Sequence, residues 1–124
     1  MLNMHKKLAK REEEGKIIRT GIVGVGQMGR GLVAQMALMK GITPAIVADH
    51  TLAKVIKAFH DASISDEDIA VANTLEEANR YMEQGKYVAT ENDEFISHAN
   101  LVEVAIDVTG VPEVGVKIAI DAMN

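Results

Sequence analysis

Between Ile17 and Met39 the hydrophobic pattern changes period once, and the change falls on a cluster of glycines. Ile17-Ile18-Arg19-Thr20-Gly21-Ile22-Val23 is short, rich in β-branched residues and closed by glycine, as a buried strand should be. Beyond the cluster, Met28, Leu32, Val33, Met36 and Met39 recur at helical spacing and Gly41 stops the run. Residues 28–40 are therefore expected to form a helix with one face on a sheet, its methionines serving as core filler.

The same alternation continues along the chain. Thr43 to Asp49 reads as a second buried strand, with Pro44 near its start, and Thr51 as the cap of a helix that lines up Leu52, Val55, Ile56 and Phe59. A polar loop from Asp61 to Asp68 leads to a short strand at Ile69-Ala70-Val71-Ala72. Thr74 with Glu77 three residues later is a capping box, opening a helix that runs to about Gln84. Tyr87-Val88-Ala89 follows as a strand, Asp93 to His98 as one or two helical turns, and Leu101 to Val108 as a further strand. Thr109-Gly110 is the exit turn, and Pro112 suits the first turn of a final helix lined by Val114, Ile118 and Met123. Strands alternating with helices imply an α/β fold with a right-handed parallel sheet covered on both faces. Residues 1–15, with Leu2 and Leu8 among alternating charges up to Gly15, read as a solvated helical arm ahead of the domain at 16–124.

Gly24-Val25-Gly26-Gln27-Met28-Gly29 spells G-x-G-x-x-G, a pattern too common to carry weight alone. Here it leaves a predicted strand and opens a predicted helix, and Asp49 ends the next strand 20 residues beyond Gly29. That order is the Rossmann dinucleotide fingerprint. Gly24 allows the tight turn, Gly26 lets the backbone approach a pyrophosphate, and Gly29 allows helix and strand to pack closely. The helix N-terminus supplies amide donors for the phosphates, and Asp49 can accept the adenosine ribose hydroxyls. The plainer alternative has the glycines making only a turn and Asp49 only capping a helix. An acidic Asp49 favours the free 2′-hydroxyl of NAD over NADP, while nearby His50 and Lys54 keep NADP open. FAD uses the same glycine geometry and ranks behind a nicotinamide cofactor.

Thr109-Gly110 lies at the carboxyl end of a later strand, where open α/β sheets bind ligands, and reads equally as a cofactor contact or as a simple strand-to-helix cap. Asp107, inside an apolar strand, reads either as a buried, hydrogen-bonded carboxylate near that edge or as a purely structural residue. Gly21 and Gly31 read as packing positions. His5, His50, His60 and His98 are isolated in sequence, without the spacing of a metal site or of a base with its orienting carboxylate, and are assigned to the surface.

Glu14-Gly15-Lys16, the stretch Ile18 to Gly29, Gln35, Met39 and Gly41, and Asp107-Val108-Thr109-Gly110-Val111-Pro112-Glu113-Val114-Gly115 resemble a known family across most of the 124 residues. It is the homoserine-dehydrogenase-like oxidoreductases that carry a C-terminal SAF domain, which include reductoisomerase-like enzymes acting on 1-deoxy-D-xylulose 5-phosphate. The resemblance implies an NAD(P)-binding Rossmann domain, with Gly24, Gly26, Gln27, Met28 and Gly29 at the pyrophosphate. It puts Asp49 at the adenosine ribose and Thr109 and Gly110 near the nicotinamide. It assigns no catalytic residue, since in such enzymes the substrate and oligomerisation domain follows. The chain is thus expected to hold a partial Rossmann domain, inactive by itself, with a sheet edge open to self-association.

Bulk properties narrow the partners. At 48% hydrophobic residues the chain can bury about two thirds of its unfolded surface as a single domain. A net charge of −5 gives nucleic acid no basic footprint, and the absence of cysteine excludes disulfides, thiolate metal sites and cysteine nucleophiles. No apolar run reaches membrane-spanning length, and the N-terminal charges do not suit a signal peptide, so a cytoplasmic protein is expected. Two functions fit: the dinucleotide-binding part of an oxidoreductase acting on a small polar substrate, or a nucleotide-sensing module without turnover.

Overall fold

A computed structural model describes residues 17–109 and the strand at 117–120. The expected arm at 1–15, Gly110 and the expected helical turn at Pro112 and Val114 lie outside the described residues, as does Met123.

Among the described residues six strands form one sheet: β1 (Ile18–Val23), β2 (Ile42–Ala48), β3 (Ile69–Val71), β4 (Tyr87–Thr90), β5 (Val104–Asp107) and β6 (Lys117–Ile120). Their order is β3-β4-β2-β1-β5-β6, and the first five strands are mutually parallel. The helices between the parallel strands are α1 (Gln27–Leu38), α2 (Leu52–Asp61), α3 (Leu75–Glu83) and α4 (Glu94–His98). This is the α/β, Rossmann-like architecture that the alternating pattern implied.

The strands carry side chains with a period of two, and each face has its own core. On one face Ile22, Val47, Ala89 and Ile106 meet Val33 and Met36 of α1 and Val55 and Phe59 of α2. On the other, Ile46, Ala48 and Val88 meet Ala78 and Met82 of α3 and Ile96 of α4. Phe59 is fully buried and stacks at a tilt on Tyr87, with ring centroids 5.7 Å apart. Burial of such a ring contributes about 2–3 kcal/mol. Gly21 lies where α4 comes closest: a Cβ there would stand 2.6 Å from the Ile96 Cγ2. Its packing role holds, whereas Gly31 is exposed with open space around it and packs on nothing.

Thr20 is completely buried in β1, where it lies opposite the proline of an interior strand. Pro44 is the third residue of β2 and has no N–H for the ladder; directly after it the register shifts, so that Thr20 faces Pro44 while Gly21 faces Ile46. Ala45 is the extra residue. Thr20 Oγ1 donates to the Thr43 carbonyl at 2.8 Å and lies 3.2 Å from Met36 Sδ. Thr20→Val keeps the shape but leaves that carbonyl without its side-chain donor. It is expected to cost about 1–3 kcal/mol in urea denaturation, and an unchanged midpoint would refute the role.

Helix starts obey local chemistry unevenly. The capping box at α3 is present: Glu77 donates its amide to Thr74 Oγ1 at 3.1 Å, and Glu77 Oε1 accepts from the Asn73 amide at 3.0 Å. At α2, Thr51 occupies the cap position but its hydroxyl caps nothing; instead its own amide points to Asp49 Oδ2 at 3.4 Å. The polar loop before β3 tightens into a 3-10 turn at Asp66–Asp68.

Two expectations fail at the chain's end. Lys117–Ile120 is a strand, not part of a helix, and it runs antiparallel to β5 with Ile118 opposite Ile106. Val114 and Ile118 do stand at helical spacing, but Ile118-Ala119-Ile120 alternates equally well as a strand. The unpaired backbone groups along β5 reward the extended form. The strand expected over Leu101 to Val108 is also shorter, since β5 begins at Val104.

Candidate functional site at the carboxyl edge of the sheet

From β1 the chain passes to β2 on one side, whereas β5 lies on β1's other side. The carboxyl ends of β1 and β5 therefore flank the switch point of the sheet, where open α/β sheets form their ligand crevice. Gly24 leaves β1 at this point with φ +98, a conformation that disfavours any side chain. Its amide donates to the Ala48 carbonyl at 2.8 Å, and the Val108 amide donates to the Val23 carbonyl at 2.9 Å. The turn is thus tied to strands on both sides.

The three fingerprint glycines face different surroundings. A Cβ on Gly24 would stand 2.9 Å from Thr109 Cγ2. One on Gly29 would stand 1.9 Å from the Gly24 carbonyl oxygen, so α1 presses directly on the loop at the buried Gly29 of its first turn. Gly26 differs from both. It is exposed, its φ of −68 is open to any residue, and a Cβ there would meet nothing within 4 Å. Gly24 and Gly29 are demanded by the fold; Gly26 is not.

Gly26 is also the N-cap of α1 and offers no side-chain cap, and the helix has no acidic residue in its first turn. The leading amides, including those of Gln27 and Met28, keep their partial positive charge for an outside acceptor. Gln27 is exposed, whereas the Met28 side chain packs against the core, leaving its backbone as the part that can face a ligand.

Asp49 follows β2, half-buried, with its amide bonded to the Thr90 carbonyl at 3.2 Å. Among the described residues its one side-chain contact is the long one from the Thr51 amide, which leaves most of its acceptor capacity unused. The structure brings Gly24, Gly26, Gln27, Met28, Gly29, Asp49 and Thr109 to one edge. Thr109 is exposed, and its amide and hydroxyl both donate to Asp107 Oδ1, at 2.8 and 2.5 Å. Asp107 is exposed rather than buried, which corrects the expectation and explains the residue, because from there it holds Thr109 against Gly24. Strand alternation alone could not show this, because the last residue of a strand already stands in solvent at the crevice.

A cleft of about 710 Å³ opens beside Gly26 and Gln27 and runs between α1 and α2, lined also by Arg30, Lys54, Lys57 and Asp61. Arg30 pairs with Asp61 at 3.4 Å. Sequence reasoning missed Arg30 and Lys57, since cations on the polar face of a helix look the same whether they line a cleft or face open water.

His60 is not isolated: its Nε2 lies 2.5 Å from Asp66 Oδ1. Both side chains are well exposed and sit before β3, at the end of the sheet away from the crevice. Among the described residues no buried side-chain nitrogen or oxygen lacks a partner, no three His, Asp or Glu side chains could hold a metal together, and no helix is long and apolar enough to cross a membrane.

Fold and edge together define a Rossmann-like α/β domain whose glycine turn faces outward at the switch point. No protein-family model matches the chain, and no curated protein matches it.

Proposed function

We propose that this is the dinucleotide-binding domain of a nicotinamide-dependent oxidoreductase of the homoserine-dehydrogenase-like kind, in a cytoplasmic protein. The observation that carries the reading is Gly26: a glycine that the fold does not require, at an uncapped helix N-terminus, where a side chain would fill the place of a pyrophosphate. Bound NAD or NADP would supply the hydride chemistry. The chain's own residues bind and orient: the amides from Gly26 to Gly29 take the phosphates, Asp49 takes the adenosine ribose, and Thr109, held by Asp107, borders the nicotinamide side. The substrate, a small polar carbonyl or hydroxy compound, belongs to a further part of such an enzyme.

Calorimetric titration of the folded chain with NADH and NADPH tests this directly. Binding of either at micromolar concentration is the expected result, and no binding of either would overturn the proposal. Asp49→Asn removes the charged acceptor for the ribose hydroxyls and is expected to weaken NADH by about tenfold. An unchanged NADH affinity would remove Asp49 from the site.

A further inference from the structure

Asp49 taken alone weighs toward a free 2′-hydroxyl, but the cleft beside the glycine loop weighs the other way. Resting on the dinucleotide reading above, we propose that Lys54 and Lys57, with Arg30, form the seat of an adenosine 2′-phosphate, so that the domain prefers NADPH to NADH.

The cleft begins at the glycine loop, since Gly26 and Gln27 line it, and continues along α2. Lys54 stands in the first turn of α2, its amide bonded to the Thr51 carbonyl at 3.0 Å, and Lys57 and Asp61 follow on the same helical face. The cleft shares Gly26 and Gln27 with the glycine loop, so an adenosine ribose bound beyond that loop would turn a 2′-substituent toward the cations of α1 and α2. Three cations line the cleft against one carboxylate, in a chain whose net charge is −5. The carboxylate, Asp61, is engaged by Arg30; among the described residues neither Lys54 nor Lys57 has an ion-pair partner. Two unpaired ammonium groups beside a phosphate-binding helix start suit a dianionic group, which makes charge-assisted hydrogen bonds to each.

The test is calorimetric titration of NADPH, NADH and inorganic phosphate into the wild type and into a Lys54→Ala/Lys57→Ala variant, whose substitutions are exposed and spare the core. NADPH is expected to bind at least about tenfold tighter than NADH to the wild type, and the double substitution to remove that advantage while leaving NADH unchanged. Equal or tighter NADH binding by the wild type would overturn this inference alone. So would an NADPH preference that survives the double substitution, or inorganic phosphate binding as tightly as NADPH, which would make the cleft a free-anion site. A folded wild type that binds neither nucleotide would overturn the dinucleotide reading and this inference with it.

Discussion

A Gly26→Val protein is expected to fold normally and to bind neither NADH nor NADPH, with affinity down by at least about 100-fold. The fold side of this expectation rests on the open space around Gly26 and its ordinary extended backbone. Valine is a poorer helix N-cap than glycine, which costs about 1 kcal/mol or less and moves the melting temperature by about 5 °C. The binding side rests on what the open space is for. A valine side chain there occupies the position from which a pyrophosphate would meet the first amides of α1, and it brings no hydrogen bond in exchange. Thermal melting alongside calorimetry separates the two effects. Retained binding would show that Gly26 faces no ligand, and the functional proposal would lose its main support.

Gly29→Ala is expected to do the opposite, weakening the fold itself. Its Cβ would lie 1.9 Å from the Gly24 carbonyl oxygen, a backbone atom that cannot rotate away. Moving that oxygen means moving a loop whose amide is bonded to Ala48 and whose next neighbour across the crevice is Thr109. The expected loss is at least about 3 kcal/mol, a fall in melting temperature on the order of 15 °C, and a large part of the stability of a domain this size. Gly31→Ala in the same helix is the internal comparison. Gly31 meets nothing within 4 Å and sits in an exposed helical turn, so the added methyl there is expected to stabilise by up to about 1 kcal/mol. Opposite signs for one chemical change two residues apart would confirm that helix-to-loop contact, and not helix propensity, sets the identity of residue 29. Equal effects would refute it.

Much of the carboxyl edge is legible in the sequence because its demands are local. A strand must end, a turn must reverse the chain, and a helix must start within a few residues; glycines at 24, 26 and 29 and an acid at 49 reveal this through spacing alone. The capping box at Thr74 and Glu77 is legible for the same reason, as partner and donor are three residues apart. The surroundings that give these residues meaning are not. Gly24, Gly26 and Gly29 are the same letter in the sequence, yet one is held by its backbone angle, one by a neighbouring carbonyl, and one by nothing in the protein.

Contacts between elements escape the sequence entirely. His60 meets Asp66 because a helix end and a 3-10 turn fold onto each other, and Thr109 is held by an Asp107 whose apolar strand suggested burial near the edge. The six strands cannot be ordered from pattern either: β4 lies between β2 and β3, and Lys117–Ile120 joins β5 antiparallel, because which edge is free is a property of the assembled sheet. The α/β alternation, the glycine turn and the acid after β2 can be read from the residues in order, since they follow from hydrophobic period and from the conformational range of glycine. Which glycine is open to a ligand, and that three helix-face cations line one cleft, can be seen only in the assembled fold, since burial and distance between residues far apart in the chain exist once the sheet has brought them together.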